Sequence, residues 1–66
     1  SLPATASVQG LRTRHAGHRR FVEFNLRLPG SWTVDQSHAL CDALEDAVRA
    51  EFPESDIVIH VEPAVG

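Results

Sequence analysis

The chain is 66 residues long, with one cysteine, 42% hydrophobic residues, 23% charged residues and a net charge of −3. This length holds one domain at most, the lone cysteine excludes an internal disulfide, and the apolar content excludes a disordered tail. No run of about 18 apolar residues occurs, so no bilayer span is expected, and Ser1-Leu2-Pro3-Ala4 has no charged region before an apolar core, so no signal peptide is expected. Residues 1–6 lack periodicity and read as a frayed lead-in to a core over 8–63. Val8 to Arg14 reads as a strand, with Leu11 and Thr13 alternating against Arg12 and Arg14. Ala16-Gly17 supplies a turn. Arg20 to Leu28 is the clearest strand: Val22, Phe24, Leu26 and Leu28 share one face, and Phe21, Glu23, Asn25 and Arg27 the other. Two strands around a short glycine turn make a hairpin.

Pro29-Gly30 ends that hairpin. Thr33 followed by Gln36 is a capping box, and Asp35 in the first turn suits the positive end of a helix dipole. The helix is predicted from Val34 to about Glu51, with Leu40, Leu44, Ala47 and Val48 as its apolar stripe and Cys41 beside it. Phe52 packs near its end and Pro53 stops it. Asp56 to Glu62 is the last strand, with Ile57, Ile59 and Val61 on one face and Val58, His60 and Glu62 on the other. The order β-β-α-β predicts an α+β domain whose three-stranded sheet carries one helix. One helix covers such a sheet poorly, so a further helix before Val8, or a partner chain, is expected to complete it. A domain of about 60 residues buries only about 60% of its unfolded surface, which likewise calls for a metal, a second copy or more chain.

Charge is unevenly distributed. Residues 1–30 carry Arg12, Arg14, Arg19, Arg20 and Arg27 against Glu23 alone, whereas residues 31–66 carry Arg49 against eight acidic residues. The basic half could meet nucleic acid or anionic lipid. The plainer reading is that it meets the acidic half of the same or a second copy, and the acidic balance overall makes nucleic acid an unexpected partner.

Among residues able to carry chemistry, His60-Val61-Glu62 is the sharpest pattern. Positions i and i+2 of a strand point the same way, about 6.6 Å apart along the chain. An imidazole and a carboxylate placed so can grip zinc or a similar ion, or can simply be exposed polar residues. His38 lies in the first turns of the helix with Asp42 and Glu45 on its side. If the helix packs beside the last strand, His38 could approach His60; otherwise it is a helix-surface histidine. His15 and His18 flank the hairpin turn and could bind metal, titrate near neutrality or be merely exposed. Cys41 reads as a small packing residue more naturally than as a soft ligand. No nucleophile–base pair and no phosphate-cradling glycine loop is visible, so an enzyme is not expected.

Leu11-Arg12-Thr13-Arg14, Ala16-Gly17 and Arg20-Phe21-Val22-Glu23, followed by Ser37-His38, Phe52-Pro53 and Asp56-Ile57-Val58-Ile59-His60-Val61-Glu62-Pro63, resemble the cytoplasmic C-terminal domain of cation diffusion facilitator transporters. The resemblance runs from Val8 to Pro63 in order. It implies a ferredoxin-like, metallochaperone-like fold whose first helix is missing or truncated here, within a single cytoplasmic domain over 1–66. It implies a homodimer attached to the transmembrane domain of the same transporter, at the cytoplasmic face of a membrane. It also implies a divalent metal, zinc above all, that tightens the two copies and regulates efflux. His38, His60 and Glu62 match ligand positions of the family, many of whose members have Asp at the last place. Two further family histidines fall at Gln9 and Asn25, and an amide is a poor zinc ligand. The resemblance therefore implies one site from His38, His60 and Glu62, closed by water or a partner chain, in place of a two-metal cluster. A metal-free clamp between protomers and a polyanion-binding module built on the arginine hairpin are the alternatives.

Overall fold

A computed structural model describes residues 5–64. The elements are β1 (Ser7–Ala16), β2 (Arg19–Leu28), α1 (Val34–Glu51) and β3 (Ser55–Pro63), in the order expected, with each strand extended by one to three residues beyond its sequence limits. β2 is the central strand. It pairs antiparallel with β1 and parallel with β3. The parallel pairing follows from chain order, because α1 carries the chain back across the sheet before β3 begins.

The hairpin closes through Gly17 and His18, between the paired Ala16 and Arg19. Gly17 has φ +62° and no other residue than glycine takes a positive φ among the described residues, so only the first loop position is left-handed, the arrangement of a type II′ turn. A bulge between Gln9 and Arg12 interrupts the β1–β2 pairing. Gly10 sits there at φ +65°, and a Cβ on it would stand 3.3 Å from the Asn25 side-chain nitrogen. The sequence gives little warning of this bulge beyond the glycine itself.

The strand alternation places the core. Val22, Phe24, Leu26 and Leu28 are buried, and Leu26 is wholly so. Against them pack Leu40, Cys41, Leu44 and Val48 of α1, Ile57 and Ile59 of β3, and also Ala6 and Trp32. Cys41 is thus a packing residue, and burial together with Glu45 and Asp42 raises its thiol pKa. Ala47, expected in the stripe, is exposed, because α1 is rotated toward Cys41. Ala6 packs against the core although the lead-in was expected to fray; residues 1–4 of that lead-in lie outside the described residues. β1 is exposed along its whole length, with Leu11 at 63%. α1 lies over β2 and β3 and leaves β1 without cover, which is the shortfall expected from one helix on three strands.

The helix start is built as predicted. Thr33 Oγ1 accepts from the Gln36 backbone N–H at 3.1 Å, and the Thr33 N–H donates to the Gln36 side chain at 2.8 Å. Thr33→Ala should lower stability by about 1 kcal/mol, read as a lower urea midpoint with an unchanged slope, and Thr33→Ser should restore most of it. At the other end the Phe52 N–H closes on Val48, and the Arg20 guanidinium lies 3.9 Å from the centre of the Phe52 ring.

Candidate metal site

The sheet has one face under α1 and one face that no described element covers. Strand alternation assigns the open face: Gln9, Arg12 and Arg14 from β1; Arg19, Phe21, Glu23, Asn25 and Arg27 from β2; Asp56, Val58, His60 and Glu62 from β3. Three cross-strand rows matter most. Gln9 pairs with Asn25, which pairs with His60. Arg27 pairs with Glu62, and Arg12 with Glu23.

Charged side chains on this face find one another. Arg27 Nε donates to Glu62 Oε1 at 2.8 Å. Arg19 forms a two-toothed ion pair with Asp56, its Nε donating to Oδ2 at 2.9 Å. Glu23 Oε2 stands 2.8 Å from Nε2 of His60 and 3.3 Å from the Arg12 guanidinium. Arg14 covers the Phe21 ring at 5.1 Å. The basic first half of the chain thus meets the acidic second half within one copy. The hydrogen bond with His60, then the charge of Arg12, holds the Glu23 carboxyl below its usual range.

Asp56 is likewise held below the ordinary aspartate value of 3.8, first by its hydrogen bonds from Arg19. A carboxylate depressed in the folded state adds stability above its unfolded pKa and loses it as pH falls through the folded one. Asp56→Asn should therefore lower stability near neutrality, and acid titrations of the two proteins should converge at low pH. The pair is exposed, so the difference is modest.

The three residues expected to bind metal divide into two groups. His60 and Glu62 share the open face at adjacent same-side positions of β3, as predicted. His38 stands on α1, with Nδ1 3.3 Å from Asp42 Oδ2. It lines an open groove of about 340 Å³ with Val34, Ser37, Cys41 and Val61. α1 does pack beside β3, but the β3 residue that shares the groove with His38 is Val61, whose side chain points opposite to those of His60 and Glu62. β3 itself therefore stands between His38 and the other two. Among the described residues, no three His, Cys, Asp or Glu side chains stand close enough to hold one ion. His15 is paired with Arg20 near the hairpin tip, and His18 lines a separate groove with Arg20, Phe52 and Glu54.

The donor types fit a borderline divalent cation, and the arrangement in one copy fits half a site. An imidazole and a carboxylate on neighbouring same-side positions are suited to zinc, and a tetrahedral ion needs two more donors. Glu23 and Arg27, the immediate partners of His60 and Glu62, were not singled out from the sequence. Only the alignment of β2 with β3 brings them there, and two strands separated by a helix leave no local signal of that alignment.

A family model described as the cytoplasmic domain of cation efflux proteins matches residues 1–64. The chain belongs to that family. This efflux-protein domain is 42% identical over 53 residues to the uncharacterized transporter sll1263 of Synechocystis, covering 80% of this chain and 17% of that protein. It is 36% identical over 63 residues to the cation-efflux pump FieF of Escherichia coli, covering 96% of this chain and 21% of the pump. The chain thus spans about a fifth of the length of these relatives. Among solved structures, a chain of CzrB, a candidate zinc transporter, superposes with TM-score 0.81 and 46% identity over 88% of this chain and 71% of its own. A zinc form of the same protein gives TM-score 0.78 and 48% identity over 85% of this chain and 63% of its own. The three-stranded sheet with its one helix matches these domains. No described helix is long and apolar enough to cross a membrane.

Proposed function

We propose that this efflux-protein domain senses a divalent metal, zinc in the first instance, by pairing with a second copy beneath the membrane part of its transporter. The observation that carries the reading is the placement of His60 and Glu62 side by side on a sheet face that no described element covers. The zinc form of a domain 48% identical to this one supports the choice of ion. His38 is separated from that pair by β3 within one copy, so a site using all three takes His38 from the other copy. Metal then ties two chains together. It shifts an open–closed equilibrium by no more than its difference in affinity for the two states.

Titrating zinc into the purified domain while following molecular mass by light scattering tests this reading. Zinc should convert monomer to dimer, or tighten an existing dimer, and chelator should reverse the change. No binding at micromolar zinc would overturn it.

A second reading is favoured by one specific observation. The row beside the site is Gln9, Asn25, His60, and the amides at its first two places are poor metal donors. Under that reading the domain is a metal-free clamp between two protomers, and its dimer mass is the same with zinc and with chelator.

A further inference from the structure

The hydrogen bond between Glu23 and His60 has a direction. A glutamate side chain is a carboxylate near neutrality and then only accepts hydrogen bonds, and the Arg12 guanidinium stands 3.3 Å from that of Glu23. At 2.8 Å its partner Nε2 of His60 must therefore carry the hydrogen. In the neutral imidazole the lone pair then sits on Nδ1. Among the described residues Nδ1 has no hydrogen-bond partner, and neither does Oε2 of Glu62, whose Oε1 is taken by Arg27. Each candidate donor on β3 is thus tied at one atom to a β2 side chain and open at the other.

We propose that Glu23 is the positioning residue of the metal site: it fixes the Nε2–H form of His60, so that His60 takes the metal through Nδ1. The inference rests on the metal-sensing reading above. Histidines that bind metals commonly donate their other ring N–H to a carboxylate, which sets the tautomer, orients the ring and raises its basicity. Arg12 acts one step further out. It holds the carboxylate that holds the ring, and so gives the first arginine of the hairpin a part at a site it does not itself touch. Asn25, the direct neighbour of His60 across the strands, leaves this role to the diagonal residue.

Nitrogen-15 NMR of the histidine rings reads both halves of the proposal on the intact chain. Before metal, His60 at neutral or mildly alkaline pH should show the Nε2–H tautomer. On adding zinc, the metal-dependent shift should fall on Nδ1. A shift on Nε2 instead would mean that zinc displaces Glu23 or shares it as a ligand, and would overturn the proposal. Calorimetry with zinc should give Glu23→Ala an affinity about 10–100-fold below wild type, the usual loss when an outer partner of a ligand is removed. Glu23→Gln keeps an acceptor without the charge and should fall between the two. Equal or tighter binding by Glu23→Ala would sink the proposal. If His60→Ala abolishes binding while Glu23→Ala leaves it intact, the metal site stands and only Glu23's role falls. If wild type takes up no zinc, both fall together. Glu23 is an exposed side chain, and circular dichroism of each variant checks that the fold persists.

Discussion

Leu26→Ala should leave most of the isolated domain unfolded under conditions where the wild type is folded. Among the described residues Leu26 is the only core side chain with no exposed surface, and it sits midway along the hydrophobic face of the central strand. Truncating a leucine so placed removes its transfer free energy and leaves a cavity, a cost of about 2–5 kcal/mol. Stabilities of about 0.05–0.15 kcal/mol per residue put a chain this short near the bottom of the usual range, so that cost consumes most of what is available. Urea unfolding followed by circular dichroism gives the measurement, and Leu11→Ala is the control. Leu11 is 63% exposed on the uncovered strand, and its truncation should stay within about 0.5 kcal/mol of wild type. If Leu26→Ala were as mild as Leu11→Ala, the core would not lie where the burial pattern puts it.

The second large effect concerns His60 and His38 together. Either substitution by alanine should abolish zinc-dependent pairing, a larger loss than removing an outer partner such as Glu23 produces. The geometry predicts more when the two variants are mixed. His38 is cut off from His60 within one chain by β3, so a site that uses both must draw them from different copies. In a mixed pair of His38→Ala and His60→Ala, one site regains an intact His60 and an intact His38, while the other loses both. Each mixed pair should therefore regain about half of the wild-type zinc uptake, and zinc-dependent pairing should return. A site assembled within one chain predicts no recovery at all. Native mass spectrometry of the mixture, with zinc and with chelator, separates the two outcomes.

What could be read from the residues was whatever repeats or signals over a short stretch. The alternation Val22, Phe24, Leu26, Leu28 identified the buried face of β2, the Thr33–Gln36 box identified the start of α1, and Gly17 identified the turn. His60 and Glu62 could be placed on a common face for the same reason. What could not be read depends on how distant stretches align. The parallel alignment of β2 with β3 is not marked by any turn, so Glu23 and Arg27 went unnoticed as partners of His60 and Glu62. The helix does pack beside β3, the condition on which His38 could approach His60, yet proximity to a strand does not select its face. Alternation put Val61 there, with His60 turned away. Trp32 joins the core from a loop with no periodicity to betray it.

The charged contacts across β2 and β3 have a consequence for folding. An apolar alternation repeats every two residues, so it cannot by itself distinguish the native alignment from one displaced by two. The charges can, in one direction. Sliding β3 one way would set Glu23 beside Asp56 and Arg27 beside His60, whereas sliding it the other way would still set Glu23 beside His60 and Arg19 beside Asp56 and would lose only the contact of Arg27 with Glu62. Each contact is exposed and worth no more than about 1 kcal/mol, so the charges weigh chiefly against the first displacement, which sets two carboxylates side by side. The opposed charges of the two halves of this chain thus serve to reject one wrong pairing, a role distinct from any stability they add once the right pairing has formed.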